Sequence, residues 1–296
     1  MGSTVPGITE NQSLRGQGAI LLTAFLWSTS GLFIKLIEWH PVVIAGARSL
    51  VAAVFLLVLR QLAPAPKGVK TPPFPFWASA ITNTFTMLAF IIANKLTTSA
   101  NAILLQYGAP IWAALLGWWL IKEKPRWEHW GALGMVIGGL LIFFRDSLGS
   151  GALLGDALAV FSGVLFGANF VFLRMTKDGN PRDTLLMAHV LSVVISIPFV
   201  FLHPPVLSAS NLTPILIMGI VQQGLAAVIF AYGIKRVSAI QGMLTATLEP
   251  ICNPVWVLLV VGEKPSAAAV IGGGIIVAAV LFSSIIGSQR KAGKRL

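Results

Sequence analysis

Glu249 stands in the middle of an apolar run long enough to cross a bilayer, within Leu248-Glu249-Pro250-Ile251-Cys252-Asn253-Pro254. A carboxylate at the bilayer centre costs about 3 kcal/mol on insertion scales unless a cavity or a partner receives it. Three roles suit it there. It could hold an ammonium group, take up a proton during a cycle, or accept donors freed where Pro250 interrupts the helix. Arg48 follows Pro41 by seven residues, so it lies about 10 Å into its helix. It could attract a carboxylate, pair with an acid, or snorkel outward as a structural residue. Around these two charges, the apolar runs carry uncharged polar and aromatic side chains suited to a pocket. They are Trp27, Ser28 and Ser30; Asn83, Thr84 and Met87; Gln106, Tyr107 and Trp112; Phe166 and Asn169; Gln222 and Gln223; and Asn253 and Trp256. Amides and hydroxyls of this kind hold the ends of a zwitterion, and the rings accept its variable side chain.

No enzyme chemistry competes with that reading. His189 has no His, Cys or acid near it in sequence, and no nucleophile–base pair or phosphate loop is present. The run Gly272-Gly273-Gly274 lies inside an apolar stretch, and the one cysteine, Cys252, offers neither a disulfide nor a metal signature. We expect no cofactor and no metal.

The elements that must position these residues are membrane helices. The chain is 56% hydrophobic and only 10% charged over 296 residues, where a soluble domain carries about a quarter charged. Breaks at Pro, Gly and charged clusters divide it into ten spans: 17–37, 42–62, 74–94, 99–120, 127–145, 153–174, 183–202, 212–234, 239–261 and 266–287. The first run is read as a retained helix, not a cleaved signal. The net charge of +11 is not a nucleic-acid signal, because the basic residues sit in short gaps between spans and form no patch. With the N-terminus inside, sixteen of the 21 Lys and Arg face the cytoplasm; four (Lys35, Lys95, Arg145 and Lys264) face the other side, and Arg48 is within a span. Such a split puts both termini in the cytoplasm.

The halves repeat at a spacing near 140 residues. Lys35 aligns with Arg174, Lys95 with Lys235, Pro110 with Pro250, and Glu123-Lys124-Pro125 with Glu263-Lys264-Pro265. Five spans per copy is an odd number, so the second copy enters the membrane inverted. Inverted repeats mark transporters, with the site near the midplane where the copies meet. The expected division is a tail at 1–16, repeats at 17–145 and 153–287, and a basic tail at 288–296. Gly134, Gly138, Gly163 and Gly167 have the spacing of close helix contacts. Glu123 and Glu263, beside Lys124 and Lys264 at span ends, read as interface anchors in a solvated, paired role.

Spans four and nine, each reading P-x(12)-E-K-P, together with Leu248-Glu249-Pro250 and Arg48 in span two, resemble the EamA-type branch of the drug/metabolite transporter superfamily. The resemblance covers residues 17–287. Within the branch, the aromatic-rich first half is most similar to amino-acid exporters of the YddG type. The first half departs from the second by having Ala109 before Pro110 where the second has Glu249, so no symmetric carboxylate pair exists. The resemblance implies an all-α membrane fold of ten helices in two inverted five-helix repeats. It also implies a secondary transporter of the bacterial inner membrane, exporting amino acids, aromatic or otherwise neutral, and related metabolites. Pro110, Pro250 and Pro254 would let spans four and nine flex during alternating access. Efflux of lipophilic cations with Glu249 as counter-charge is the competing reading, and an intramembrane lipid-modifying enzyme is a distant third. The partners are a small-molecule substrate and the lipid bilayer, without nucleic acid; monomer and homodimer are both compatible with the sequence.

Overall fold

A computed structural model describes residues 9–63, 71–125, 127–147, 152–268, 270–275, 277–279 and 282. Lys67, Lys70, Arg126, the basic residues from Arg290 to Arg295, the side chain of Arg145, the first half of the expected N-terminal tail and all of the expected C-terminal tail lie outside these residues. The described chain is helical: α1 (Glu10–Trp27), α2 (Ser30–Leu36), α3 (Pro41–Leu62), α4 (Pro73–Leu96), α5 (Ser99–Gln106), α6 (Ala109–Ile121), α7 (Trp127–Ser147), α8 (Leu153–Met175), α9 (Pro181–Leu202), α10 (Ala209–Ile217), a π-helical stretch Met218–Leu225, α11 (Ala226–Ile234), α12 (Ala239–Thr245) and α13 (Leu248–Val261). Eight continuous or broken helices in this set are long and apolar enough to cross a membrane. The 21-residue α7 lies between the fourth and fifth of them. A further helix over 270–279 falls in the stretch read as span ten, part of which lies outside the described residues.

Helix starts follow local chemistry. Pro41, Pro73 and Pro181 occupy first helical positions, where a missing N–H costs nothing and the fixed φ suits the helix. The first helix begins at Glu10, seven residues before the expected start, because Thr9 and Gln12 form a reciprocal capping box. The sequence reading treated this polar stretch as tail and overlooked the cap.

Spans one, four and nine are broken near their middles. In span four, Pro110 sits in the first turn of α6 and removes the N–H that would bond the Gln106 carbonyl. In span nine, Pro250 does the same to the carbonyl of Ala246, which instead accepts the Glu249 N–H at 3.1 Å and the Tyr107 hydroxyl at 2.7 Å. Span one breaks without a proline. The Ser28 and Thr29 hydroxyls donate back to the carbonyls of Phe25 (2.7 Å) and Leu26 (2.8 Å), and this back-bonding loosens the ladder. Span eight is deformed rather than broken: its middle is the π-helical Met218–Leu225, four residues after Pro214.

The repeats interlock at both ends. Glu123, just past α6, accepts the Ala239 N–H at the start of α12 (3.0 Å) and faces Arg174 Nε at 3.4 Å. Arg174 in turn donates to the Ile234 and Lys235 carbonyls, at 3.0 and 2.8 Å, closing the end of α11. On the opposite face, Glu263, just past α13, accepts the Ser99 N–H at the start of α5 (2.7 Å) and faces Lys35 Nζ at 3.2 Å. Lys35 donates to the Thr97 carbonyl at 3.1 Å, closing the end of α4. Lys95 and Lys235 also correspond, donating to the carbonyls of Ile37 and Gly179. Each landmark aligned in sequence thus does the same job on the other side of the bundle. Glu123 and Glu263 are paired as expected, but with Arg174 and Lys35 rather than the neighbouring lysines, and they are largely shielded rather than solvated. They are 25% and 22% exposed and clamp a helix start in the other repeat. The order of the spans puts one clamp on each face, and both are closed.

Close helix approach depends on some of the expected glycines and not on others. A Cβ on Gly163 would stand 2.5 Å from the Gln106 carbonyl oxygen, and one on Gly167 would meet the Ala109 carbonyl. These two glycines let α8 lie against the break in span four. Gly134 and Gly138 have nothing within 4 Å, so they hold no contact among the described residues.

Candidate functional site

The breaks converge on one cavity. It is lined by Trp27 and Ser30 from span one, Arg48 from α3, Asn83, Thr86, Met87 and Phe90 from α4, and Gln106 from the end of α5. The second repeat supplies Phe166 from α8, Gln222 and Gln223 from the π-helical stretch, and Glu249 from the first turn of α13. Its volume is about 60 Å³, room for only a few waters. Where the helices break or widen, consecutive residues can all face inward. That is why Gln222 and its neighbour Gln223 line the same wall.

Both charges expected within the spans reach this cavity. Arg48 is 2% exposed, which rules out snorkelling. Its Nε has no hydrogen-bond partner among the described residues. Glu249 is 5% exposed, and its Oε2 lies 2.9 Å from the Tyr107 hydroxyl. An amide and hydroxyl chain supports the wall behind them. Gln106 Nε2 donates to Ser162 Oγ (2.7 Å), which donates to the Thr86 carbonyl (3.0 Å). Gln222 Nε2 donates to the Trp27 carbonyl freed at the end of α1 (3.2 Å), and Gln223 donates to Gln222. Trp27 meets Phe166 and Phe230 at ring distances of 5.9 and 5.0 Å, and Phe166 meets Tyr107 at 6.2 Å. The result is one aromatic side and one amide side, with a cation and a carboxyl between them.

Seven expected pocket residues lie outside the lining. Ser28 is buried and accepts the Trp256 indole N–H at 2.9 Å, so these two stabilise each other where α13 passes span one. Thr84 donates to the Ala188 carbonyl at 2.9 Å, joining α4 to α9. Trp112, on the outward face of α6, is 38% exposed. Tyr107 and Asn169 stand one step behind the wall: Tyr107 on Glu249, and Asn169 between Ser79 (2.8 Å) and the lining residue Asn83 (3.4 Å). Asn253 is fully buried, neither amide atom has a partner among the described residues, and it packs where a Cβ on Gly31 would come within 2.5 Å of its Oδ1. Thr86 and Phe90 are the lining residues that the sequence reading missed. Their signal was available, because 83, 86, 87 and 90 repeat at the spacing of one helix face. His189 contacts Ser49 at 3.3 Å, a helix-to-helix role. Among the described residues no three His, Cys, Asp or Glu side chains gather as metal ligands would.

The model of the EamA-like transporter family matches residues 14–145 and again 153–285. The chain belongs to the EamA-like transporter family. An uncharacterized transporter of Bacillus subtilis (strain 168), YwfM, is 24% identical over 251 residues, covering 82% of this chain and 85% of that protein. An uncharacterized transporter of Archaeoglobus fulgidus is 25% identical over 263 residues, 83% of this chain and 89% of the other. Human solute carrier family 35 member G1 is 29% identical over 185 residues, 56% of this chain and 49% of its own length. A solved structure described only as the crystal structure of a protein superposes with a TM-score of 0.69 at 22% identity, covering 94% of this chain and 98% of that one; it shares the fold. The chain is a membrane transporter, from a family of transporters and not of enzymes.

Proposed function

We propose that this transporter exports neutral amino acids, aromatic ones included, and related small metabolites from the bacterial cytoplasm across the inner membrane by alternating access. One observation carries the reading: a single cavity, lined by both repeats, holds a buried guanidinium and a buried carboxyl among amides and aromatic rings. A zwitterion offers each charge its complement, the carboxylate to Arg48 and the ammonium to Glu249, while Trp27, Phe90 and Phe166 accept the side chain. The similarity of the first half to YddG-type exporters points the same way. Lipophilic-cation efflux fits less well, because Arg48 in the same small cavity repels a cation. At about 60 Å³ the cavity holds an amino acid only after one clamp opens, and the breaks at Pro110 and Pro250, with Pro254 one turn further on, supply the flexion.

Hydrogen-bond geometry favours proton exchange as the driving force. The Tyr107 hydroxyl has one proton, yet it faces both the Ala246 carbonyl (2.7 Å) and Glu249 Oε2 (2.9 Å). Both contacts become full hydrogen bonds only when Glu249 itself carries a proton. Glu249 would then lose that proton to bind the substrate ammonium. Arg48, Tyr107 and Glu249 are the ionisable groups at this site, with His189 one shell away through Ser49. The test is flux into proteoliposomes of radiolabelled phenylalanine and of a dye cation, with and without a pH gradient. The reading expects phenylalanine flux that Arg48→Gln abolishes; dye flux insensitive to Arg48→Gln, with no amino-acid flux, would overturn it.

A further inference from the structure

A second cavity, of about 360 Å³, lies away from the central one. It opens between the start of α9 and the end of α11, on the face rich in Lys and Arg. Arg182, Lys235 and Arg236 line it, with Asp178 as the one acid. The three cations are partly buried, whereas Asp178 is exposed. Their internal contacts leave positive charge to spare. Arg236 lies 3.5 Å over the Tyr232 ring and donates to that residue's carbonyl. Lys235 donates to the Gly179 carbonyl at 2.8 Å. Among the described residues, Arg182 makes one hydrogen bond, to the Ala63 carbonyl at 3.4 Å. The start of α9, a 22-residue helix, has no side-chain cap hydrogen bond, and the acid in its first turn, Asp183, faces Arg60 at 3.6 Å, so the helix dipole still contributes to the positive field. Burial and the neighbouring guanidinium groups of Arg236 and Arg182 push the Lys235 amine below its ordinary value, only partly offset by Asp178. Crowded cations of this kind are relieved by a bound anion.

We propose that this cavity binds a phosphate anion, carried either by the headgroup of an anionic phospholipid or by a soluble phosphate. Arg182 and Arg236 are the principal donors. The site is independent of the exported substrate and shares no residue with the central cavity. The wall formed by Val228 and Ala231, at the level where two spans end, suits the glycerol and first methylenes of a lipid. Basic pockets between helix ends on the basic face recognise lipid phosphates by the same chemistry. Occupancy would tie α9 to α11 where they meet through few other contacts.

The test uses the full-length protein purified in detergent. Native mass spectrometry measures retention of phosphatidylglycerol against phosphatidylcholine of the same acyl chains, and melting with inorganic phosphate against chloride at equal ionic strength tests the soluble source. Expected is selective retention of phosphatidylglycerol, reduced about tenfold or more by Arg182→Gln with Arg236→Gln and unchanged by Lys122→Gln, an exposed cation on the same face. Stabilisation by inorganic phosphate that depends on the two arginines would also support the site and identify the soluble source. Equal retention of the two lipids with no effect of phosphate would overturn the proposal. So would undiminished binding by the double variant, with its melting temperature in detergent intact. Should the double variant fail to fold, Arg182→Gln alone is judged on the same criteria.

Discussion

Removing the charge of Glu123 and of Glu263, one at a time, should drive the transporter in opposite directions. In Glu123→Gln the Arg174 guanidinium, its side chain 1% exposed, keeps the Ile234 and Lys235 carbonyls but loses its carboxylate. Orphaning a fully buried charge costs about 3–5 kcal/mol. Glu123 is 25% exposed, and solvent screening on that side reduces the loss to about 1–2 kcal/mol. The energy is lost only from conformations in which this clamp is closed. The equilibrium therefore shifts by about 5- to 30-fold toward opening on the Glu123 side, the cytoplasmic face in the orientation proposed from the Lys and Arg distribution. Glu263→Gln is milder, because the amide oxygen can still accept the Ser99 N–H and only the ion pair with Lys35, 20% and 22% exposed, disappears. That loss is about 0.5–1 kcal/mol, a two- to fivefold shift toward the opposite face. Accessibility reads both effects: Thr86→Cys, in a Cys252→Ser background, is alkylated by an impermeant maleimide in right-side-out and in inside-out vesicles. Glu123→Gln should speed labelling in inside-out vesicles, and Glu263→Gln in right-side-out ones. If both substitutions speed labelling from the same side, or neither changes it, the twin-clamp reasoning fails.

Further outcomes follow from the same contacts. Tyr107→Phe removes the side-chain donor to the Ala246 carbonyl and leaves it the Glu249 N–H alone, and should lower stability in detergent melting by about 0.5–1.5 kcal/mol. Gly163→Val drives a side chain into the backbone of Gln106 and should cost about 1–3 kcal/mol in the same assay. Gly138→Ala meets nothing within 4 Å and should be neutral or slightly stabilising. Glu249→Gln should abolish pH-gradient-driven net flux of phenylalanine while leaving substrate exchange measurable; unchanged acceleration by the gradient would exclude Glu249 as the proton carrier. Trp27→Ala should weaken flux of phenylalanine more than of alanine, since the ring removed faces Phe166 at the cavity wall. Equal loss for both substrates would place the side-chain site elsewhere.

The run lengths, the prolines at span starts and the excess of Lys and Arg on one face laid out the membrane helices. Landmarks 140 residues apart showed that the halves are copies. These are local or periodic features, readable because hydrocarbon admits few alternatives to a long apolar helix. Arg48 and Glu249 were visible for the same reason: charge is costly in lipid and so marks a site. The start of α1 was missed because a capping box depends on two short polar side chains, a weak signal beside hydropathy.

Which neutral polar residues share the cavity was not written in the spacing. Asn253 and Gln222 look equivalent as amides within apolar runs, yet one packs unpartnered under Gly31 and the other lines the wall. The difference arises at the helix breaks and in the π-helical stretch, where the steady rotation of about 100° per residue no longer applies. The two glutamates of the repeated Glu-Lys-Pro motif were legible as a pair, but only the folded chain gave each a helix start in the opposite repeat to hold. Sequence set the helical membrane character and the kinship of the two halves; packing across the repeats decided where their side chains met, because facing is fixed by contacts between segments far apart in the chain.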